Sequence, residues 1–130
     1  MKILAATLFL TALSGCWNDE SVGAYGAANR IWVLSELDGA PFVQRATLTF
    51  PDSGTIAGKA PCNSYSGAMT APYPWFEAKN LAVTRMACPD LAAESQFLSA
   101  LSDMNLSEVA GNILILSTDS GREMVFKASE

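Results

Sequence analysis

The sequence predicts a mainly β domain with a single helix inserted late. Three observations carry that prediction. "ATLTF", residues 46–50, alternates apolar and polar side chains, which is the period of a half-buried strand. "NILILST", "DSG" and "REMVFKA", residues 112–128, place two apolar runs around turn chemistry, the pattern of a hairpin. "PDLAAESQFLSALSDM", residues 89–104, repeats its apolar positions at helical spacing. Strand connections other than the helical one are short, which favours antiparallel pairing. The expected architecture is a small antiparallel barrel or strongly curled sheet with the helix packed on it.

The chain has 130 residues and opens on a targeting pattern. Lys2 precedes an apolar run, Ile3 to Leu13, broken by Thr7 and Thr11. That run is too short to cross a bilayer, which takes about 20 apolar residues. It suits a signal-peptide core of about 7–15 residues. "LSGC", Leu13 to Cys16, resembles a bacterial lipobox. The pattern implies cleavage after residue 15 and acylation of Cys16. Several acyl chains form a stable anchor where one gives only marginal binding, so the expected partner is a membrane held through lipid. Trp17 stands where an aspartate signals inner-membrane retention in enteric bacteria. By that analogy the expected location is the cell envelope, at the outer membrane facing the periplasm. Residues 16–29 read as the lipidated cysteine and a short tether, because "WNDESVGAYGAAN" is small, polar and without a period. Trp17 and Tyr25 are candidates for the membrane interface. The folded domain is expected over residues 30–130.

Within that domain "IWVLSEL" is a strand candidate ended by Asp38-Gly39. Ala46, Leu48 and Phe50 share the buried face of the next strand. "PDSG" turns the chain and "TIAGK" completes a hairpin over 46–59. "SYSGAMT" sets Tyr65, Gly67 and Met69 on one face, and Gly67 in mid-strand suggests a bulge or close backbone approach. Short strands are expected near 75–78 and 81–86, with Pro72 and Pro74 confining the segment before them to a loop or edge. The 112–128 hairpin is apolar on both faces and so needs cover on both sides. The helix starts at Pro89 and Asp90. Leu91, Phe97, Leu98, Leu101 and Met104 share its apolar face. Glu94 falls among them. A buried carboxylate needs a partner, and Arg85 is the nearest cation in sequence. The two readings are a semi-buried Arg85–Glu94 ion pair and a Glu94 that leans out to water.

The chain contains three cysteines and no histidine. With Cys16 assigned to lipid, Cys62 and Cys88 remain. A cysteine nucleophile usually needs a base, most often histidine. A structural zinc site needs about four Cys or His ligands, so no metal is expected. Redox pairs usually lie two residues apart. In an exported chain, where disulfides persist, a Cys62–Cys88 disulfide is the leading reading, and two buried free thiols are the alternative.

The acidic balance, 13 acids against 8 bases, and the lack of a basic cluster argue against a nucleic-acid partner. No phosphate loop, dinucleotide fingerprint or metal cluster appears, and no cofactor is expected. Asp38, Asp52, Asp90, Glu94 and Asp119 are the carboxylates available to an enzyme, but most sit in turn or helix-start contexts and no spacing selects an acid–base pair.

Taken in order, Trp32-Val33-Leu34, Leu37 to Gly39, "TLTF", Gly54, Gly58, "CNSYSG", "TRMAC", Glu94 with Phe97 and Leu101, "LIL" at 114–116 and Phe126 resemble the META-domain, or HslJ-like, family. The resemblance spans nearly all of the expected domain. It implies a lipocalin-like β architecture with one helix, pairs the cysteines of "CNSY" and "TRMAC", and points to exported bacterial proteins, many lipidated and some linked to stress or drug resistance. It supplies no reaction. The family usually has glycine before the first cysteine, where this chain has Pro61. Proline cannot take a positive φ, so a different turn is expected there. The expected function is therefore a tethered, non-catalytic envelope module that binds an envelope protein or serves under stress. The alternative is a binder of a small apolar ligand in the barrel mouth, lined by Trp32, Tyr65, Tyr73, Trp75 and Phe76.

Overall fold

The structure, a computed structural model, describes residues 19–129. Nine strands and one α-helix follow a short 3-10 helix, Val22–Tyr25. The strands are β1 (Trp32–Leu37), β2 (Ala40–Pro41), β3 (Thr47–Leu48), β4 (Thr55–Lys59), β5 (Ser64–Ala68), β6 (Lys79–Val83), β7 (Leu106–Ala110), β8 (Ile113–Ser117) and β9 (Glu123–Ala128). The helix α1 (Leu91–Asp103) lies between β6 and β7 in sequence.

All pairings are antiparallel. A six-stranded sheet runs β2-β1-β9-β8-β7, with β3 also paired to β1, and a three-stranded sheet runs β4-β5-β6. The bridge Thr49 to Ala57 joins the two. The class is mainly β with one helix, as expected. Neither the closed barrel nor a single strongly curled sheet is formed: the strands divide into two sheets, and among the described residues β6 and β7 do not pair with each other. The physical reason lies in the chain between them: it spends itself on α1, whose Phe97, Ala100 and Leu101 are fully buried. The Phe97 ring lies 5.6 Å from that of Tyr65 on β5 and 6.4 Å from that of Phe42.

Local chemistry accounts for most elements. β1 turns into β2 through Asp38 and Gly39, both with positive φ (51° and 80°), the requirement of a two-residue hairpin turn that follows strand twist. In β3 and the residues beside it Ala46, Leu48 and Phe50 are buried as the alternation predicts, and Thr47 is buried as well. The β5–β6 register shifts between Ser66 and Ala68, a bulge at Gly67. In the 112–128 hairpin Leu114, Leu116, Met124 and Phe126 are buried, while Ile113, Ile115 and Val125 are only half-covered.

Three expectations need correction. Residues 19–29 are part of the folded body: Val22 and Ala27 are fully buried, and the Ala27 carbonyl accepts the Trp32 indole N–H at 2.9 Å. The strand near 75–78 reduces to one bridge, Trp75 to Leu106, and the following strand is 79–83 and not 81–86. β7 is an additional strand: it pairs fully with β8 and is covered outside by 73–76, with the Ser107 N–H donating to the Pro74 carbonyl at 2.7 Å. Among the described residues no helix is long and apolar enough to cross a membrane.

At Gly58 the two sheets come into close contact. A Cβ there would collide with the Thr47 carbonyl oxygen and lie 2.7 Å from the Tyr65 hydroxyl, which donates to that same carbonyl. Burial pushes the Tyr65 phenol well above its ordinary pKa, so it stays a donor throughout the working range. Gly58→Ala is expected to cost about 1–3 kcal/mol or more through overpacking against backbone. Gly39→Ala, in open space, is expected to cost only the about 1–2 kcal/mol of a left-handed residue. Thermal unfolding of the two variants checks the order.

Candidate functional site

The loop joining β4 to β5 carries Cys62 and Asn63. It closes through the Ala60 N–H on the Asn63 carbonyl, 2.8 Å. Neither Pro61, Cys62 nor Asn63 has a positive φ, so proline fits this turn without strain. The loop turns two successive N–H groups, those of Cys62 and Asn63, toward α1. Both donate to Glu94 Oε1, at 3.1 and 2.6 Å. The Asn63 amide donates to Oε2 at 2.7 Å.

Asn63 also faces the segment after β6. Its Oδ1 accepts the Met86 N–H at 2.6 Å and the Thr84 hydroxyl at 3.0 Å, and its Nδ2 donates to the Met86 carbonyl at 3.4 Å. The side chain thus does for Met86 what a neighbouring strand would do. A disulfide joins Cys62 to Cys88 across 26 residues, with Cα atoms 6.0 Å apart. The loop, the 84–88 segment and the first turns of α1 are therefore tied at one point.

Glu94 is 6 % exposed, and its nearest partners are dipoles. Burial raises its pKa, but the Asn63 amide and the two backbone N–H groups outweigh burial and hold it below the ordinary value. The expected Arg85–Glu94 pair is absent: among the described residues Arg85 makes no ion pair, and it is exposed. Backbone donors satisfy the carboxylate without the desolvation of a second charge, which burying a guanidinium would require.

Beside this node an open groove of about 510 Å³ runs between β6 with its continuation and α1. Leu81, Val83, Met86, Leu91 and Leu98 supply its apolar lining and Arg85 its cation. Met86 and Leu91 are 62 % and 45 % exposed, unusual for large apolar side chains in one place. Among the described residues β6 is a free edge of its sheet. Thr84 and Met86 turn their N–H groups toward residues 63 and 64. By alternation those of Arg85 and Ala87 point away, toward the open side.

The aromatic set expected to line a barrel mouth is not gathered in one. Trp32, Tyr65 and Phe76 are core residues, Tyr73 stacks on Tyr25 at 4.7 Å, and Trp75 is exposed. Cys16 lies outside the described residues. Sequence reasoning also missed Arg122, whose guanidinium binds Asp38 at 3.1 Å and Asp103 at 2.7 Å, tying the β1–β2 turn to the end of α1. These groups are well exposed, so the pairs contribute about 0–1 kcal/mol each. Among the described residues no three His, Cys, Asp or Glu side chains are grouped to hold a metal.

Two expectations follow for the node. Because its pKa is depressed on folding, Glu94 contributes stability that is present above the ordinary value of 4.5 and lost as pH falls through the folded value. Glu94→Gln places an amide where acceptors are needed and is expected to cost about 2–3 kcal/mol at neutral pH. It also removes this share of the acid sensitivity, while the shares of Asp19 and Asp38 persist. Urea unfolding at neutral and acid pH reads both effects. Replacing both Cys62 and Cys88 by alanine is expected to cost about 3.5 kcal/mol for a loop of this length, checked by the urea midpoint with and without reductant.

Comparison with known proteins places this geometry. The META domain family model matches residues 27–130. No curated protein matches the chain. An NMR structure of a protein from Burkholderia xenovorans is similar at 25 % identity and a TM-score of 0.67, covering 83 % of this chain and 87 % of that one. A second NMR structure is 27 % identical with a TM-score of 0.59, over 75 % of this chain and 87 % of the other. A crystal structure of a DUF4847 family protein from Bacteroides vulgatus shares the fold at 14 % identity and a TM-score of 0.64, over 85 % and 98 %. "CNSY", "TRMAC" and Glu94, which carried the resemblance in sequence, meet at the node just described, and the chain belongs to the META domain family.

Proposed function

We propose that this protein is a non-catalytic domain of the bacterial cell envelope, held to a membrane by lipid on Cys16 and offering the β6–α1 groove to a protein partner. The groove is the observation that carries the reading. It combines a free strand edge, exposed apolar side chains and one cation without an ion-pair partner among the described residues. An extended segment of an envelope protein suits that combination, since a strand added to a free edge gains backbone hydrogen bonds and places alternate side chains in the groove. An acidic residue in the segment pairs with Arg85.

Two of the carboxylates that chemistry would need are committed elsewhere, Glu94 to the node and Asp38 to Arg122 and the Glu123 N–H. That supports a binding role over catalysis. The lipobox at Leu13 to Cys16 supports the anchor, and Trp17 after it favours the outer membrane facing the periplasm. A role under envelope stress accords with the family resemblance. A second reading, a small apolar ligand, rests on the groove volume of about 510 Å³, within the range of small-molecule sites. It moves that ligand from the barrel mouth to the groove.

Photo-reactive residues placed at 86, 91 and 43 in the lipidated protein in cells test the proposal. Val43 is 88 % exposed and serves as control. Protein adducts concentrated at 86 and 91, and diminished by Arg85→Glu, are expected. Small-molecule adducts there favour the second reading. Adducts no more frequent than at 43 remove the groove from consideration.

A further inference from the structure

The chain is packed from residue 19 onward. The Ser21 N–H and hydroxyl both donate to Asp19, Ser21 and Val22 are buried, and the Glu20 carbonyl accepts the Tyr73 N–H at 2.6 Å. Two residues, Trp17 and Asn18, separate this packed chain from Cys16. Three Cα–Cα steps span about 11 Å at most. The headgroup layer on each side of a bilayer is roughly 5–8 Å thick. An acyl anchor on Cys16 therefore leaves no room for a free tether, and the end of the fold that carries Asp19 must meet the lipid surface.

That end carries exposed aromatics. Tyr25 is 57 % exposed and stacks on Tyr73, with ring planes 16° apart. The Tyr73 hydroxyl accepts the Val109 N–H of β7. Trp75, 55 % exposed, is bridged to Leu106 on the same strand. All three rings thus belong to the cover over the β7 edge of the large sheet. β2 is the opposite edge, four strands away, or roughly 19 Å at about 4.8 Å per strand. Tyrosine and tryptophan concentrate at bilayer interfaces, where the ring meets acyl carbon and the polar atom stays hydrated.

We propose that the β7 edge, through Tyr25, Tyr73 and Trp75, lies against the bilayer and fixes the orientation of the anchored domain. The proposal rests on lipidation of Cys16. Glu20 and Glu108 are exposed on the same cover and Asp19 is half-exposed, so the surface suits zwitterionic lipid and is repelled by anionic lipid.

The test uses full-length lipidated protein in phosphatidylethanolamine–phosphatidylcholine vesicles, with a diazirine residue at 25, 75 or 43. Val43 follows β2 at the far edge, and all three positions are exposed enough to tolerate the change. The mass of the N-terminal peptide is read first; a Cys16 without lipid overturns the anchor and the orientation with it. With lipid present, lipid adducts several-fold more abundant at 25 and 75 than at 43, and reduced when phosphatidylglycerol is added, are expected. Equal lipid labelling at the three positions, or protein adducts alone at 25 and 75, overturns the orientation and leaves the anchor standing.

Discussion

Glu94, on the helix face that carries Phe97 and Leu101, has no ion-pair partner among the described residues, and it keeps its charge because three N–H donors converge on its two oxygens. This constraint fixes where α1 can lie. Apolar side chains such as Phe97 and Leu101 tolerate small shifts along the sheet with partial repacking. A buried carboxylate does not, since moving it from its donors leaves a charge uncompensated at a cost of several kcal/mol. The helix is therefore located by a polar contact and only then packed by its apolar face. Asn63 extends the constraint: one side chain satisfies Glu94 on one side and the Met86 backbone on the other.

That the strands do not close into a barrel follows from the same arrangement. The pairing path ends at β6 on one side and β7 on the other, and the connecting segment becomes a helix. Free strand edges invite association, and the two edges are treated differently. Residues 73–76 and the 3-10 helix cover β7. β6 is left open beside α1, with Met86 and Leu91 exposed. An edge covered by aromatics and an edge bordered by a groove give the domain two unlike surfaces, the ones proposed above for lipid and for a strand.

What the sequence disclosed follows the range of the interactions involved. The 46–50 alternation, the 112–128 hairpin, the helix and the Gly67 bulge are local patterns, and each is legible because a few neighbouring residues decide it. β7 was invisible because "LSEVA" breaks alternation: Ser107 is buried with its hydroxyl on the Pro74 carbonyl, a partner 33 positions away. Residues 19–29 looked like a tether because they are small, yet small residues let Val22 and Ala27 sink fully into the core. Glu94 stands out in the sequence as a carboxylate among apolar positions, but the sequence points to a cation, Arg85, as its partner. Backbone N–H groups belong to every residue, so composition gives no hint of where two of them converge. "CNSY" pointed to the right loop for its cysteine, while its asparagine does as much of the binding.

The two kinds of tie at the node act on one target. Residues 84–87 have no regular structure of their own and are exposed, the profile of a segment that opens easily. Asn63 holds Thr84 and Met86 in extended geometry, and the disulfide pins the segment at Cys88. A helix held by Glu94 alone would keep its place without fixing this strip; a disulfide alone would leave 84–87 free to curl. Together they hold one wall of the groove extended and the other at fixed distance. Ordering a loop on binding costs conformational entropy, and a site already ordered avoids most of it. The residues that stabilise the fold at this point are thus the ones that hold the exposed strip in place, as the proposed partner site requires, and the buried charge on Glu94 is the element that connects the two.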